Sequence, residues 1–214
     1  MKASVLTRRD HEILRFIGQG WLASLDQLHR KFWAHATPIT TYERMRELVR
    51  AGVVERKTVH LRKAGELVYV LTRLGAAEFP YPERQKFIIG LPARHELKQQ
   101  LLAQDARLIL ERNLANQELH LVDWLNEREL RRISGREGEI PDARAIIQDN
   151  QGGLSELDFE IDGAYYSQML KAKLRDFGKS GKQLVWVTTP GRVARIRREI
   201  QRLGAVNIQL LALP

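Results

Sequence analysis

Cysteine is absent from all 214 residues, which excludes a disulfide framework and any thiolate zinc site and suits a reducing compartment. No apolar run approaches membrane-spanning length, and the opening stretch from Met1 to Arg9 lacks the long apolar core of a secretory signal. The sequence therefore predicts a cytoplasmic protein with no membrane partner. Its histidines, His11, His29, His35, His60, His95 and His120, show no paired metal spacing, and there is no His-Glu-x-x-His run, nucleophile motif or phosphate-cradling glycine loop. Nothing in the chain points to a small-molecule ligand.

What the chain has in excess is positive charge. The formal net charge is +9 and the pI about 10, a balance that favours a polyanionic partner. The excess is uneven. Residues 1–90 hold 16 Lys and Arg against 9 Asp and Glu, a net +7, whereas residues 91–214 hold 19 against 17, a net +2.

The stretch 38–72 organises the first half. From Ile39 to Ala51, Met45, Leu48 and Val49 recur at helical spacing as a core-facing stripe, which leaves Thr40, Thr41, Glu43, Arg44, Glu47 and Arg50 mostly outside. Gly52 stops this helix. Two β-branched runs follow, Val53 to Val59 and Leu67 to Leu71, joined by the basic segment 60–66. Upstream, Thr7 and Ser24 are N-caps of two earlier helices, with Ile13, Leu14, Phe16 and Ile17 on the first apolar face and Leu25, Leu28, Phe32 and Trp33 on the second. Helices with tight turns and then a basic ribbon form the pattern of a winged helix-turn-helix, whose last helix enters the major groove of DNA.

Physics assigns roles within that pattern. Thr40 and Thr41, in the first turn, and Arg44, one turn on, are placed for base edges. Arg46, Arg50, Lys57, Arg62 and Lys63 are phosphate contacts. Tyr42 is either core or interface, and the same fold could instead serve protein contact.

Proline-punctuated text without a steady period places a linker at 81–91, between a first domain, 1–80, and a second, 92–214. The second reads as a helix followed by strands, then helix, strand, helix, strand, an α/β sandwich around a mixed sheet. Asp142 follows Pro141 at the start of one strand. Asp158, Glu160 and Asp162 alternate along the next and share one face, opposite Phe159 and Ile161. Carboxylates gathered in this way suit a hard ion such as magnesium. On the following helix Lys173 borders the stripe of Tyr166, Leu170, Leu174 and Phe177, within reach of the acids, while Lys171 points away. A salt bridge at the edge of the core is the plain alternative for Lys173. Arg192, Arg195, Arg197 and Arg198 cluster further on, either solvated or extending a nucleic-acid surface.

Pro141-Asp142 followed by Phe159-Glu160-Ile161-Asp162, in this order of elements, resembles the PD-(D/E)XK restriction-endonuclease-like fold. With the helix-turn-helix in front, the whole chain resembles the replication-relaxation family of plasmids and other mobile elements. That family pairs a helix-turn-helix domain with a segment reading roughly Glu-x-Asp-x-Gly and a helix carrying lysine and an aromatic residue. The matching positions are Glu160, Asp162, Lys173 and Phe177, with Gly163 one place early. The resemblance implies Asp142, Glu160, Asp162 and Lys173 as catalytic residues, with magnesium on Asp142 and Glu160, if the domain is a nuclease. Active members carry lysine two residues after the second acid, where this chain has Asp162.

The expectation is a sequence-specific double-stranded DNA-binding protein of a mobile element, acting in transcriptional regulation or in replication or transfer control. It needs no cofactor for binding, and its second domain supplies dimerisation, giving a homodimer, or a second contact. The alternative is a magnesium-dependent DNA endonuclease targeted by the winged helix.

Overall fold

Thr7 opens the first helix, α1 (Arg8–Gln19), through a capping box with Asp10: the Thr7 hydroxyl accepts from the Asp10 N–H at 3.3 Å and the Thr7 N–H donates to the Asp10 carboxylate at 2.7 Å. Gly20 closes it. A three-residue strand, β1 (Leu22–Ser24), runs straight into α2 (Leu25–Phe32), whose own capping box joins Ser24 and Gln27. Leu22 is fully buried, and a strand of three residues is too short to show a period in the sequence. Pro38 takes the first position of α3 (Pro38–Arg50). Gly52, at φ +75, turns the chain into β2 (Val54–Val59) and then β3 (Glu66–Leu71). Only glycine adopts that backbone angle without strain.

The structure, a computed structural model, describes residues 6–60, 65–134, 139–162 and 167–213. Its chain divides into two compact units, Met1–Gln104 and Asp105–Pro214. In the first, β1, β3 and β2 form an antiparallel sheet with β3 in the middle. Ile13, Leu14, Phe16, Ile17, Leu28, Met45, Leu48, Val68 and Val70 are all at most 1% exposed and make its core.

The segment expected to be a linker belongs to this unit. After α4 (Arg73–Ala77) comes a single helical turn, α5 (Tyr81–Arg84), where Glu83 accepts from Arg15 at 2.5 Å. Phe87 meets Phe79 edge to face with ring centroids 4.9 Å apart, and the Ile88 N–H donates to the Gly18 carbonyl at 2.9 Å. Individual apolar residues anchor the stretch, so no periodicity reveals it. The boundary falls instead within α6 (Leu97–Ala115), whose Gln104 amide donates to the carbonyls of Phe16 and Leu22, both at 3.1 Å.

The second unit is a mixed α/β structure. It contains β4 (His120–Asn126), α7 (Glu127–Ser134), β5 (Ala143–Gln148), β6 (Leu154–Ile161), α8 (Ser167–Ser180), β7 (Leu184–Thr188), a 3-10 turn at Pro190–Arg192, α9 (Val193–Leu203) and β8 (Ile208–Ala212). These strands form one five-stranded sheet in chain order, antiparallel from β4 to β6 and parallel from β6 to β8. Leu170, Leu174 and Phe177 of α8 and Ile196 of α9 pack in one cluster with Leu184, Trp186 and Ile208 of the sheet. The parallel pairs require helical crossovers, and α8 and α9 supply them. Among the described residues no helix is long and apolar enough to cross a membrane.

Candidate nucleic-acid interface

α3 presents a divided face. Thr40, Glu43, Arg46, Glu47 and Arg50 are exposed, as is Ile39 at 61%. Arg46 and Arg50 make no ion pair among the described residues. Next to this face, Arg56 of β2 donates to the Tyr42 hydroxyl at 3.3 Å, which ties the helix to the ribbon. Lys57 pairs with Glu55 on the same strand. Arg62 and Lys63 lie outside the described residues.

Two expected base-reading residues are turned inward. Thr41 is fully buried, its hydroxyl 2.9 Å from His29 Nδ1 on α2. A small polar side chain can sit on either side of a helix boundary, and here it bonds two helices together. Arg44 is held by Asp10 of α1: its Nε donates to Oδ1 at 2.8 Å and a terminal nitrogen to Oδ2, while the other terminal nitrogen pairs with Glu47. Asp10 is 1% exposed. Its burial alone would raise its pKa, but the hydrogen bonds from Arg44 and from Thr7 outweigh that and hold it below the ordinary carboxylate range. The same bond pushes the Arg44 pKa up against the cost of its own partial burial. Arg44 is thus a tie between α1 and α3. Sequence reading took Thr7 as a cap and passed over Asp10, whose only local signal is its place three residues after the cap.

In the second unit Asp158 and Glu160 of β6 and Asp162, the residue after it, each have a cation of their own. Asp158, 4% exposed, takes a two-pronged bond from Arg144 of β5 at 2.5 and 3.1 Å. Glu160, fully buried, pairs with Lys173 of α8. Asp162 accepts from the Thr188 hydroxyl at 2.6 Å and from Arg192 at 2.6 and 3.0 Å. Asp142 accepts the Ile161 N–H at 2.7 Å. The reach of Lys173 was legible from its helix position; the parts played by Arg144 and Arg192 were not. Arg192 leaves the cationic cluster in which the sequence placed it. Lys171 lies 3.9 Å from Glu199 of α9. Gly163 and Tyr166 fall outside the described residues.

A divalent ion needs several carboxylate oxygens turned toward one point. Among the described residues no three His, Asp or Glu side chains gather in that way. The expected magnesium pair, Asp142 and Glu160, holds a backbone N–H and a lysine, so this donor set does not fit the ion.

The described residues make a mixed α/β protein with a five-stranded mixed sheet in its second unit. The family model described as replication-relaxation matches residues 14–179, which span most of both units, and the chain belongs to that family. This membership points to the replication of mobile elements. No curated protein and no solved structure matches the chain.

Proposed function

We propose that this protein binds double-stranded DNA in a sequence-specific manner and serves replication or transfer control of a mobile element, its first unit acting as a winged helix-turn-helix. One observation carries the reading: α3 exposes Thr40, Arg46 and Arg50 on one side, next to a ribbon bearing Arg56. Charge agrees with it. The first unit has 18 Lys and Arg against 10 Asp and Glu, a net +8, and the second 17 against 16, a net +1.

Arg46 and Arg50, exposed and without ion-pair partners among the described residues, supply phosphate contacts. Thr40 and Glu43, on the outward side of the first two turns, face base edges; a carboxylate there accepts from the amino group of cytosine. Arg44 is removed from the reading set by Asp10.

The test is selection of bound sites from a random duplex library, followed by anisotropy titrations at several salt concentrations. Arg46→Ala and Arg50→Ala should each flatten the salt dependence by about one unit of log-log slope and weaken selected and random duplexes alike. Thr40→Ala should cost about 1–3 kcal/mol on the selected site and much less on random DNA. Equal losses on both would refute base reading at Thr40. A palindromic footprint would report a two-fold dimer.

A further inference from the structure

Between α1 and α3 lies a cavity of about 470 Å³, lined by Thr7, Arg8, Arg9, Asp10, Trp33, Thr40 and Arg44. Trp33 forms an apolar wall and is 7% exposed. Arg9 is exposed, lies 5.6 Å over the Trp33 ring, and makes no ion pair among the described residues. A guanidinium held over an aromatic face keeps its charge outward with its orientation restricted.

The other charges of the notch are already balanced. Asp10 is occupied by Arg44 and by Thr7, and Arg8 lies 3.2 Å from Glu12 in a pair whose members are 95% and 45% exposed. An exposed pair of that kind exchanges readily for a phosphate. Among the described residues of the notch, Arg9 is the cation without a carboxylate partner.

Thr40 belongs both to this notch and to the outward face of α3. A duplex laid along that face would therefore pass its backbone across the notch. We infer that the notch seats a backbone phosphate of the bound duplex, with Arg9 as its counter-charge and Arg8 in support. The ribbon bears Arg56, bonded to Tyr42 on a different side of α3, so the unit holds the duplex from both flanks of that helix. This inference rests on the DNA-binding reading above and adds to it a contact from α1 that the helix and ribbon alone do not supply.

The experiment is a salt titration of a labelled random-sequence duplex with the full chain, comparing wild type, Arg9→Ala, Arg9→Lys and Arg50→Ala. Arg9→Ala should reduce the log-log slope by about one unit, as expected for the loss of one phosphate, and Arg9→Lys should retain most of it. Arg9 is exposed in the first turn of α1, so folding should be unchanged by circular dichroism; Arg9→Gln provides a second variant. If Arg9→Ala keeps the wild-type slope while Arg50→Ala flattens it, the notch is not a phosphate seat, yet the α3 surface stands. If wild type shows no salt-dependent binding, both readings fall.

Discussion

α3 and the end of β6 both carry charged side chains in close succession, and the fold treats them in opposite ways. Asp158 and Glu160 on β6 and Asp162 just after it each meet a cation supplied by a different element, Arg144 from β5, Lys173 from α8 and Arg192 from the turn before α9. On α3, among the described residues, Arg44 receives such a partner, whereas Arg46 and Arg50 are exposed and make no ion pair. Buried ions have to be matched, because an uncompensated charge costs several kcal/mol in the interior. Exposed ones carry no such requirement and remain open to an outside anion. Sign and number alone therefore do not distinguish the two regions; the presence or lack of an internal partner does.

The contrast is broken most severely at Arg144. Arg144→Ala leaves the buried Asp158 without its two-pronged donor and should cost about 3 kcal/mol in urea unfolding, with duplex affinity unchanged. A loss below about 1 kcal/mol would mean that water replaces the arginine at little cost.

Asp10→Asn comes next, at about 2 kcal/mol, and it should also weaken duplex binding, since α3 loses its tie to α1. Asp10 titrates below its ordinary 3.8 in the folded chain. Its contribution is therefore complete above that value and disappears as the pH falls through the lowered one. The urea midpoint of wild type should fall more steeply than that of Asp10→Asn as the pH drops below about 4. Parallel curves for the two would show that Asp10 titrates alike in the folded and unfolded chains.

The smallest effect concerns magnesium. With its acids paired, the second unit should change its melting temperature by less than about 1 °C in millimolar magnesium, because a ligand stabilises only what it binds. A clear rise that disappears in Glu160→Gln would reopen the endonuclease alternative, and a plasmid-nicking assay would then decide it.

Much of the architecture was legible because it is written locally. Thr7, Ser24, Pro38 and Gly52 punctuate the first three helices, and Leu170, Leu174 and Phe177 give α8 its face. The alternation of acids on β6 was legible for the same reason. Their partners were not, since Arg144 and Arg192 lie 14 and 30 residues away and are brought in by strand pairing and a crossover. Asp10 and Arg44 are likewise 34 residues apart, and nothing in the helical period of α3 distinguishes an arginine facing a groove from one facing a carboxylate. Phe87 and Ile88 show the converse failure, where proline-rich text concealed two anchored apolar side chains.

The inward turn of Thr41 and Arg44 also divides α3 for anyone who would redirect its specificity. Thr41, Arg44, Met45 and Leu48 form the chassis and should be left as they are. On the proposed DNA-binding reading, Thr40 and Glu43 are the positions to randomise, since both are exposed and can be exchanged without disturbing the interior. A library confined to these two should keep its members folded and its phosphate contacts intact while its binding preferences diverge.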